Sequence, residues 1–418
     1  MQELKAKSRE NLGKLMARYY EGNHQEAVKG KFVIWIAIIV PTELLKGFDV
    51  LVCAPESHSA MCAARKMGAV QCEKAEKAGY SMDLCSYARV DLGTVLDHGR
   101  GSPVHGLPRP DLLISNNDNC SLLVKWFDVY HRELGVPHFI LDVPFCYKPQ
   151  QEKDLQYILS QFKDLIRLIE EMTGQRFNHD KVRAAVQESN EALRHWMRFL
   201  GLAAHRPSGN TAFDTFAHMA PYFTWMRGEP EMTEHYKLLA GEAEAEMASG
   251  KYPVPNERYR LLWDNIAPWH QLRGMSARLA ELDANIVYST YATSIGRIED
   301  GLEFYEWDGS DPLRFLARIQ NRGWCCYGME LRYSAIAEMI RRFSIDGIVF
   351  ASNRSCKVYS VMQMDLRKRL ARDFDMATVM VDVDHADPRK YDERSFFSRI
   401  EAVLEMIDRR QGRQAVRA

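Results

Sequence analysis

One pattern occurs twice in the chain, as PDLLISNNDNC at residues 110–120 and as DGIVFASNRSC at residues 346–356. In each copy a short apolar run, typical of a buried strand, leads through a Ser-Asn turn to a cysteine. A helical pattern follows the cysteine, and a second apolar run with Asp-Val near its end comes next, at 136–144 or 376–384. Strand, helix and strand in this order predict a parallel sheet. Because the unit is repeated, the sequence predicts an α/β fold with two parallel-sheet domains of similar topology.

The rest of the chain is divided around these two units. Residues 1–30 are polar and predict an N-terminal helical segment, and residues 31–149 predict the first α/β domain. Between 150 and 250 the apolar residues recur with the 3.6-residue period of a helix, which predicts a mainly helical insertion with Asn178 as an N-cap. Residues 251–418 predict the second α/β domain.

Length and composition limit the classes of protein that fit. The chain has 418 residues, of which 46% are hydrophobic and 27% are charged, as in an ordinary globular protein. Lys+Arg (55) and Asp+Glu (56) balance, so we expect no nucleic-acid partner. The N-terminus lacks the apolar core of a secretory signal, and the longest apolar run, residues 32–40, is too short to span a bilayer and predicts a buried strand. We therefore expect a cytoplasmic protein without a membrane partner.

Two of the nine cysteines hold equivalent positions in the repeated unit. Cys120 and Cys356 each follow the carboxyl end of a predicted strand and begin the next helix, at the edge where open α/β sheets bind ligands. The partial positive charge of a helix N-terminus favours a thiolate, and thiolates are the ligands of iron–sulfur clusters. From this pattern alone two interpretations stay open: a metal centre shared by the two cysteines, or two buried structural cysteines.

Five motifs together resemble the B-type, cluster-bearing subunits of 2-hydroxyacyl-CoA dehydratases and benzoyl-CoA reductases. They are EKAGYSMDLCSYARVDLG (76–93), SNNDNCSLLVKW (115–126), RPSGNTAFD (206–214), SNRSCKVYS (352–360) and ADPR (386–389). The resemblance runs from about residue 30 to residue 408. The run SNRSCKxYS and the PESH at 55–58 are more similar to the dehydratase branch, although Val358 stands where dehydratases favour proline.

The resemblance implies a 4Fe–4S cluster at the interface of two α/β domains, held by Cys85, Cys120 and Cys356, with one iron free of protein thiolate. It also implies three partners: an acyl-CoA substrate, a homologous second subunit, and an ATP-hydrolysing iron–sulfur activator that delivers one low-potential electron. That electron would reach the thioester carbonyl and form a ketyl radical anion. A dehydratase then expels the neighbouring hydroxyl, whereas a reductase keeps electrons and protons in the product.

Three residues are candidates for catalysis. Glu56, in PESH, follows the second strand, and its family counterpart lies near the open face of the cluster, where a carboxylate could move protons. His58 is a second candidate in the same motif. Some dehydratases use a serine near the preceding strand end, where this chain offers only the hydroxyl of Thr42. For each residue an ordinary structural role stays open.

Asn353, Arg354 and Lys357 are the candidates for cofactor binding. They flank a cluster cysteine and could offset its charge or meet the phosphates of CoA. The vicinal pair Cys325-Cys326 is interpreted as structural, because adjacent cysteines rarely ligate one cubane together. Three residues could line an acyl pocket, although core packing is the usual role of such side chains: Trp263, Trp269 and His270.

Four functions remain open on the sequence alone. The favoured one is the cluster-bearing subunit of a 2-hydroxyacyl-CoA dehydratase, and the nearest alternative is an aryl-CoA reductase subunit. A double-cubane reductase would need about six thiolate ligands and would recruit further cysteines. An electron-transfer subunit would leave the substrate to its catalytic partner.

Overall fold

A computed structural model describes residues 4–223, 225–292 and 305–412 of the chain. Two parallel sheets of four strands organise it, which confirms the predicted α/β class. The first sheet contains β1 (Val33–Ile36), β2 (Leu51–Cys53), β3 (Leu112–Asn116) and β4 (His138–Leu141). The second contains β5 (Tyr259–Asp264), β6 (Ala284–Ser289), β7 (Gly347–Asn353) and β8 (Ala377–Val383).

The two sheets share one topology. Their strand orders are β2-β1-β3-β4 and β6-β5-β7-β8, so the second sheet repeats the first with four added to each strand number. In both, the first and third strands lie in the centre, and both central pairs are buried because helices cover the faces of the sheet. The repeat that was predicted from two short motifs therefore extends over the whole of each sheet.

Helices connect and cover the strands. Those of the first half are α1 (Ala6–Val28), α2 (Thr42–Leu45), α3 (Pro55–Ala64), α4 (Gly68–Lys77), α5 (Ser86–Leu96) and α6 (Ser121–Leu134). Along the chain, five helices follow β4 and precede β5: α7 (Glu152–Thr173), α8 (His179–Gly201), α9 (Ala212–His218), α10 (Ala220–Phe223) and α11 (Pro230–Ala248). The second half adds α12 (Leu272–Glu281), α13 (Pro312–Gln320), α14 (Met329–Arg342), α15 (Lys357–Ser360), α16 (Gln363–Phe374) and α17 (Glu393–Arg410).

The stretch from 150 to 250 is helical in its described residues, as its periodicity predicts. One stripe of α7 is buried, and Asn178 is the N-cap of α8, where its side chain accepts a hydrogen bond from the backbone N–H of Lys181 at 3.0 Å. The domain boundaries at residues 30, 149 and 250 stay a prediction. In the described part of the chain no helix is both long and apolar enough to cross a membrane.

The strand predicted over residues 32–40 is shorter than its apolar run. It ends at Ile36, and the chain then leaves the sheet, with Ile39 in the left-handed region at φ 72°. A β-branched residue has a steric cost in that region, and such strain is commonly found beside functional sites. Ile38 and Ile39 are apolar because they line a cavity at the end of the strand and not because they extend it.

Candidate metal centre

A cavity of about 500 Å³ lies between the carboxyl ends of the two sheets. Loops from both halves line it at matching places. Ile38 follows β1 as Ile266 follows β5, and Glu56 follows β2 as Tyr291 follows β6. The cavity therefore occupies the edge at which parallel α/β sheets bind ligands, shared between the two sheets.

The structure brings the three predicted ligand cysteines into this one cavity. Cys85, Cys120 and Cys356 all line it, and they are the N-cap residues of α5, α6 and α15. Backbone N–H groups of the following turn act on each sulfur and favour its thiolate form. The three sulfurs belong to separate segments of the chain, so only the folded protein assembles them.

Burial has the opposite effect on these thiols and prevails. It raises the pKa of Cys85, Cys120 and Cys356 above the ordinary value, and the charge of neighbouring cysteines adds to the increase for Cys85 and Cys356. A thiolate ligand must lose its proton, so a metal centre here has to displace protons as it binds. Closely spaced thiols that repel one another as anions are a donor set that a cationic iron centre would stabilise.

The donors at this cavity are not arranged as a site for a single ion. Among the described residues no group of three or more His, Cys, Asp or Glu side chains is placed to hold one metal ion. A polynuclear cluster is different, because each thiolate binds a different iron and the sulfurs stand around the cluster. The cavity and its thiols therefore fit a cluster of several irons.

Glu56 is the predicted catalytic residue that the structure places at the cavity. Its carboxylate is 6% exposed and accepts a hydrogen bond from the backbone N–H of Ile38 at 2.6 Å. Burial raises the pKa of Glu56 to about 7, although the Ile38 hydrogen bond opposes the shift. A carboxyl group with this pKa can both hold and release a proton near neutral pH.

His58 and Thr42, by contrast, do not line the cavity. His58 is fully buried between Asp91 and Ser102, at hydrogen-bonding distance from both. Burial lowers the pKa of His58, but the charge and hydrogen bond of Asp91 outweigh it and raise the value to about 10. Thr42 begins α2 and accepts a hydrogen bond from Arg227 Nε at 3.0 Å. The side chains of His58 and Thr42 are thus engaged in hydrogen bonds with residues other than those that line the cavity.

The three predicted cofactor-binding residues lie in different surroundings. Lys357 lines the cavity and is exposed, with its Nζ donating to the carbonyl of Arg354 at 3.0 Å. The Arg354 guanidinium forms an ion pair with Asp382 at 2.9 Å and is not part of the lining. Asn353 is buried, and its Nδ2 donates to the carbonyl of Ile266 at 3.2 Å. Of the three, only Lys357 is placed to meet a bound molecule.

Asn353 instead takes part in a chain of contacts that reaches Cys85. His385 Nδ1 lies 3.3 Å from Asn353 Oδ1, and His385 Nε2 lies 3.4 Å from Cys85 Sγ. Burial lowers the pKa of His385 to about 4, so its ring is neutral near pH 7. With Nδ1–H donating to Asn353, Nε2 is left to accept the S–H of Cys85. No sequence signal singled out His385, although it directly precedes the ADPR motif.

Cys325 is a cavity residue that the sequence interpretation set aside as structural. It lines the cavity together with the three predicted cysteines, whereas its neighbour Cys326 is buried elsewhere. The other cysteines off the cavity lining are Cys53, Cys62, Cys72 and Cys146. Only four of the nine cysteines thus surround the cavity, fewer than a double cubane would need.

The aromatic wall of the cavity is also different from the one suggested by sequence. It is formed by Tyr87, Trp126, Tyr291, Trp324 and Tyr359. Trp263, Trp269 and His270 are outside the lining; the Trp263 side chain, for example, is fully buried in the core. The wall residues come from strand ends and helix starts scattered along the chain, so local sequence gives no sign that they meet.

Comparison with known proteins agrees with this geometry. The family model described as 2-hydroxyglutaryl-CoA dehydratase, D-component, matches residues 37–407. The chain is 31% identical to the (R)-phenyllactyl-CoA dehydratase alpha subunit of Clostridium sporogenes, over 91% of this chain and 90% of that one. It is 30% identical to the (R)-2-hydroxyisocaproyl-CoA dehydratase alpha subunit of Clostridioides difficile, over 97% and 98%.

A reductase is also among its relatives. The chain is 27% identical to a benzoyl-CoA reductase subunit of Thauera aromatica, over 88% of this chain and 87% of that one. All three relatives are matched over nearly their whole length, so the similarity includes both sheets and the helices between them. The resemblance that the cysteine motifs suggested is confirmed, and this chain belongs to the 2-hydroxyglutaryl-CoA dehydratase D-component family.

Proposed function

We propose that this chain is the iron–sulfur subunit of a 2-hydroxyacyl-CoA dehydratase, which removes water from an acyl-CoA through a ketyl radical after ATP-driven one-electron activation. The observation that carries the proposal is the meeting of Cys85, Cys120 and Cys356 around one cavity. Relatives named as dehydratase alpha subunits support the choice of reaction.

Cys85, Cys120 and Cys356 would hold a 4Fe–4S cluster. When bound, that cluster would supply the single electron and an iron that can polarise the thioester carbonyl. The aromatic wall excludes water from the cavity, which protects a radical from side reactions. Lys357, at the edge of the lining, offers a cation to the phosphates of CoA.

Glu56 would handle the proton of the departing hydroxyl. Its carboxyl lines the cavity, is nearly dry, and has a pKa of about 7. A protonated Glu56 can donate to the leaving oxygen, and the resulting carboxylate keeps the hydrogen bond from the N–H of Ile38. The Glu56 carboxylate could then take up the β-proton that the acyl-CoA loses in the elimination, which would restore its protonated form.

Two protein partners belong to the proposal. The first is a homologous second subunit, since the relatives are named as subunits of larger enzymes. The second is an ATP-hydrolysing iron–sulfur activator, because transfer of an electron to a thioester carbonyl needs a very low potential. Turnover should therefore require ATP and the activator and should be lost in air.

A benzoyl-CoA reductase subunit is the second candidate, favoured by the relative from Thauera aromatica and by the position of Thr42. The Thr42 hydroxyl is fully buried against Arg227 and cannot act as the strand-end serine of some dehydratases. Assays of the activated holoenzyme with a 2-hydroxyacyl-CoA and with benzoyl-CoA separate the two reactions. Turnover of benzoyl-CoA alone would replace the dehydratase proposal by the reductase.

The cluster itself is tested by iron binding. Cys85→Ala, Cys120→Ala and Cys356→Ala should each lower the iron content and the visible absorption of anaerobically purified protein. Cys72→Ala is the control, because Cys72 is a buried cysteine that lies off the cavity. Full iron in all three cavity variants would disprove the ligand assignment.

A further inference from the structure

The repeated topology gives each half of the molecule two cysteines at the cavity. Cys120 follows β3, and Cys356 follows β7, the third strand of each sheet. Cys85 lies between the second and third strands of the first sheet. In the second half the corresponding connection, between β6 and β7, contains Cys325, which lines the same cavity. The fourth thiol therefore completes a pattern of two cysteines from each half.

The vicinal cysteine does not compete for this position. Cys325 and Cys326 belong to a 3₁₀ turn, Trp324–Cys326, in which consecutive side chains point in different directions. Cys326 Sγ lies 3.5 Å from Asp118 Oδ2, to which it donates, and the residue is fully buried. Cys326 therefore has the structural role that was predicted for the pair. Because only one of the two adjacent thiols is at the cavity, Cys325 is available to bind a metal there.

The turn that carries Cys325 is held in place by the first half of the chain. Cys146 and Tyr327 form an isolated parallel β-bridge. The N–H of Cys146 donates to the carbonyl of Cys326 at 2.9 Å, and the N–H of Gly328 donates to the carbonyl of Cys146 at 3.0 Å. These bonds fix the backbone directly after Cys325, whose side chain lines the cavity.

A buried cation lies behind the same wall. Arg332 is 1% exposed, and its guanidinium lies over the ring of Trp324, 5.6 Å from the centroid. Among the residues that the structure describes, no carboxylate is within ion-pair distance of it. An uncompensated buried charge is costly, so an anionic group nearby would stabilise this arrangement. Burial raises the pKa values of Asp264, Cys325 and Cys356, and the charge of Arg332 opposes each increase.

We propose that Cys325 is a fourth thiolate ligand of the cluster and, in the substrate-free protein, closes the position that the three motif cysteines leave open. The inference rests on the proposed function, since it assumes that the cavity holds a 4Fe–4S cluster. It adds that the resting site is closed, so that a substrate oxygen would have to displace the Cys325 sulfur. Arg332 would offset part of the added negative charge.

The test compares how firmly the fourth iron is held. A cubane with three thiolates readily loses its fourth iron on oxidation and gives the paramagnetic three-iron cluster, whereas a cubane with four thiolates resists this loss. The full chain is loaded with iron and sulfide under anaerobic conditions and oxidised with one equivalent of ferricyanide. Iron per chain and the EPR spectrum are then measured for the wild type, Cys325→Ala, Cys325→Ser and Cys326→Ala.

The wild type and Cys326→Ala should keep their iron, while Cys325→Ala should lose one iron in four and show the three-iron signal. Cys325→Ser retains the size of the side chain and should also lose iron more readily than the wild type. Equal behaviour of the wild type and both Cys325 variants would overturn the inference and leave the three-cysteine cluster intact. A wild type that takes up no iron would overturn the proposed function as well, so the two failures are distinct.

A second measurement uses the wild type alone and avoids any question of folding. Iodoacetamide labelling of the native protein, followed by mass spectrometry, compares each cysteine before and after cluster loading. Cys325 should be labelled more slowly once the cluster is present, together with Cys120. Unchanged labelling of Cys325 beside protection of Cys120 would contradict its role as a ligand.

Discussion

Among single residues, Glu56 is the side chain whose surroundings are best matched to proton transfer. It is buried at the cavity, and burial raises its pKa to about 7. Glu56→Gln keeps the shape and the hydrogen bond from Ile38 but removes the exchangeable proton. We therefore expect near-normal iron content and a loss of turnover of roughly 100- to 10,000-fold.

The measurement is kcat of the activated holoenzyme beside iron per chain. Glu43→Gln is a suitable comparison, because Glu43 is also a buried carboxylate but pairs with Arg227 away from the cavity lining. Near-normal turnover in Glu56→Gln would reduce Glu56 to a structural loop residue. Loss of iron in this variant would make it a support for the cluster.

For single residues, the sequence predicted which cysteines lie at the cavity better than which of the catalytic candidates do. Cys120 and Cys356 each follow a strand end, so the topology predicts that they lie at one edge, whereas the resemblance alone placed Cys85 with them. His58 is off the cavity lining because it lies two positions after Glu56 on α3, and residues two apart on a helix do not share a face. Cys325 was interpreted as structural because adjacent cysteines rarely ligate one cubane together, and nothing local tells which of the two lines the cavity.

Among the helices, α4 and α5 are packed so closely that one glycine decides their distance. A Cβ at Gly93 would overlap the carbonyl oxygen of Gln71. Gly93→Ala must therefore push the helices apart, and we expect a loss of roughly 1–3 kcal/mol in the free energy of unfolding. Because α5 begins directly after Cys85, iron uptake should fall as well.

Gly241→Ala provides the control for this substitution. Gly241 lies within α11, and a Cβ there would meet nothing within 4 Å. Alanine there should be neutral or stabilising by up to about 1 kcal/mol, since it is the better helix former. Urea unfolding of both variants measures the difference, and equal stabilities would show that α4 and α5 can separate without cost.

A buried histidine pair makes the contact between α9 and α11 sensitive to acid. His218 Nδ1 lies 3.1 Å from His235 Nε2. Burial, together with the charge of His235, lowers the pKa of His218 to about 3, and burial lowers that of His235 to about 4. Both are neutral in the fold but take up protons near pH 6.5 when the chain is unfolded.

Stability should therefore be complete above about pH 6.5 and fall as the pH decreases toward about 4. The slope is up to roughly 1.4 kcal/mol per pH unit for each histidine. Urea unfolding at pH 7 and pH 5.5 measures it, and His218→Gln should reduce the difference between the two values. His179→Gln, at an exposed position, should leave it unchanged. An equal slope in wild type and His218→Gln would exclude the pair as its source.

The helices and strands themselves were largely predictable, because their apolar periods are clear. The helix after Cys120 and the strand at 377–383 have the predicted bounds. The strand at 32–40 was overextended because an apolar run does not tell a strand from a cavity wall. Ile38 and Ile39 are apolar for the second reason, and only the fold reveals it.

Across the whole molecule, a network of charges joins the two halves beside the cavity. Arg89 of α5 is fully buried and donates to Glu76 at 2.6 Å and to Asp387 at 2.8 Å. Arg389 binds the same two carboxylates. The connection thus runs from α4 and α5 of the first half to the ADPR segment of the second.

Arg89→Met should destabilise the chain by about 3 kcal/mol, because it leaves buried carboxylate oxygens without one of their cations. Arg198→Met is the control: Arg198 pairs with Glu244 on the surface, where such a pair contributes at most about 1 kcal/mol. Thermal or urea unfolding compares the two. If both variants lose the same stability, the buried network does not hold the halves together.

The shared strand order of the two sheets also bears on how the chain evolved. Repetition of a whole topology is what duplication and fusion of a gene produce. An ancestor of half the length would have built the cavity from two copies of itself about a twofold axis. Each copy would supply one thiol after its third strand and one before it, and Glu56 opposite Tyr291 would then record where the copies diverged after they were joined.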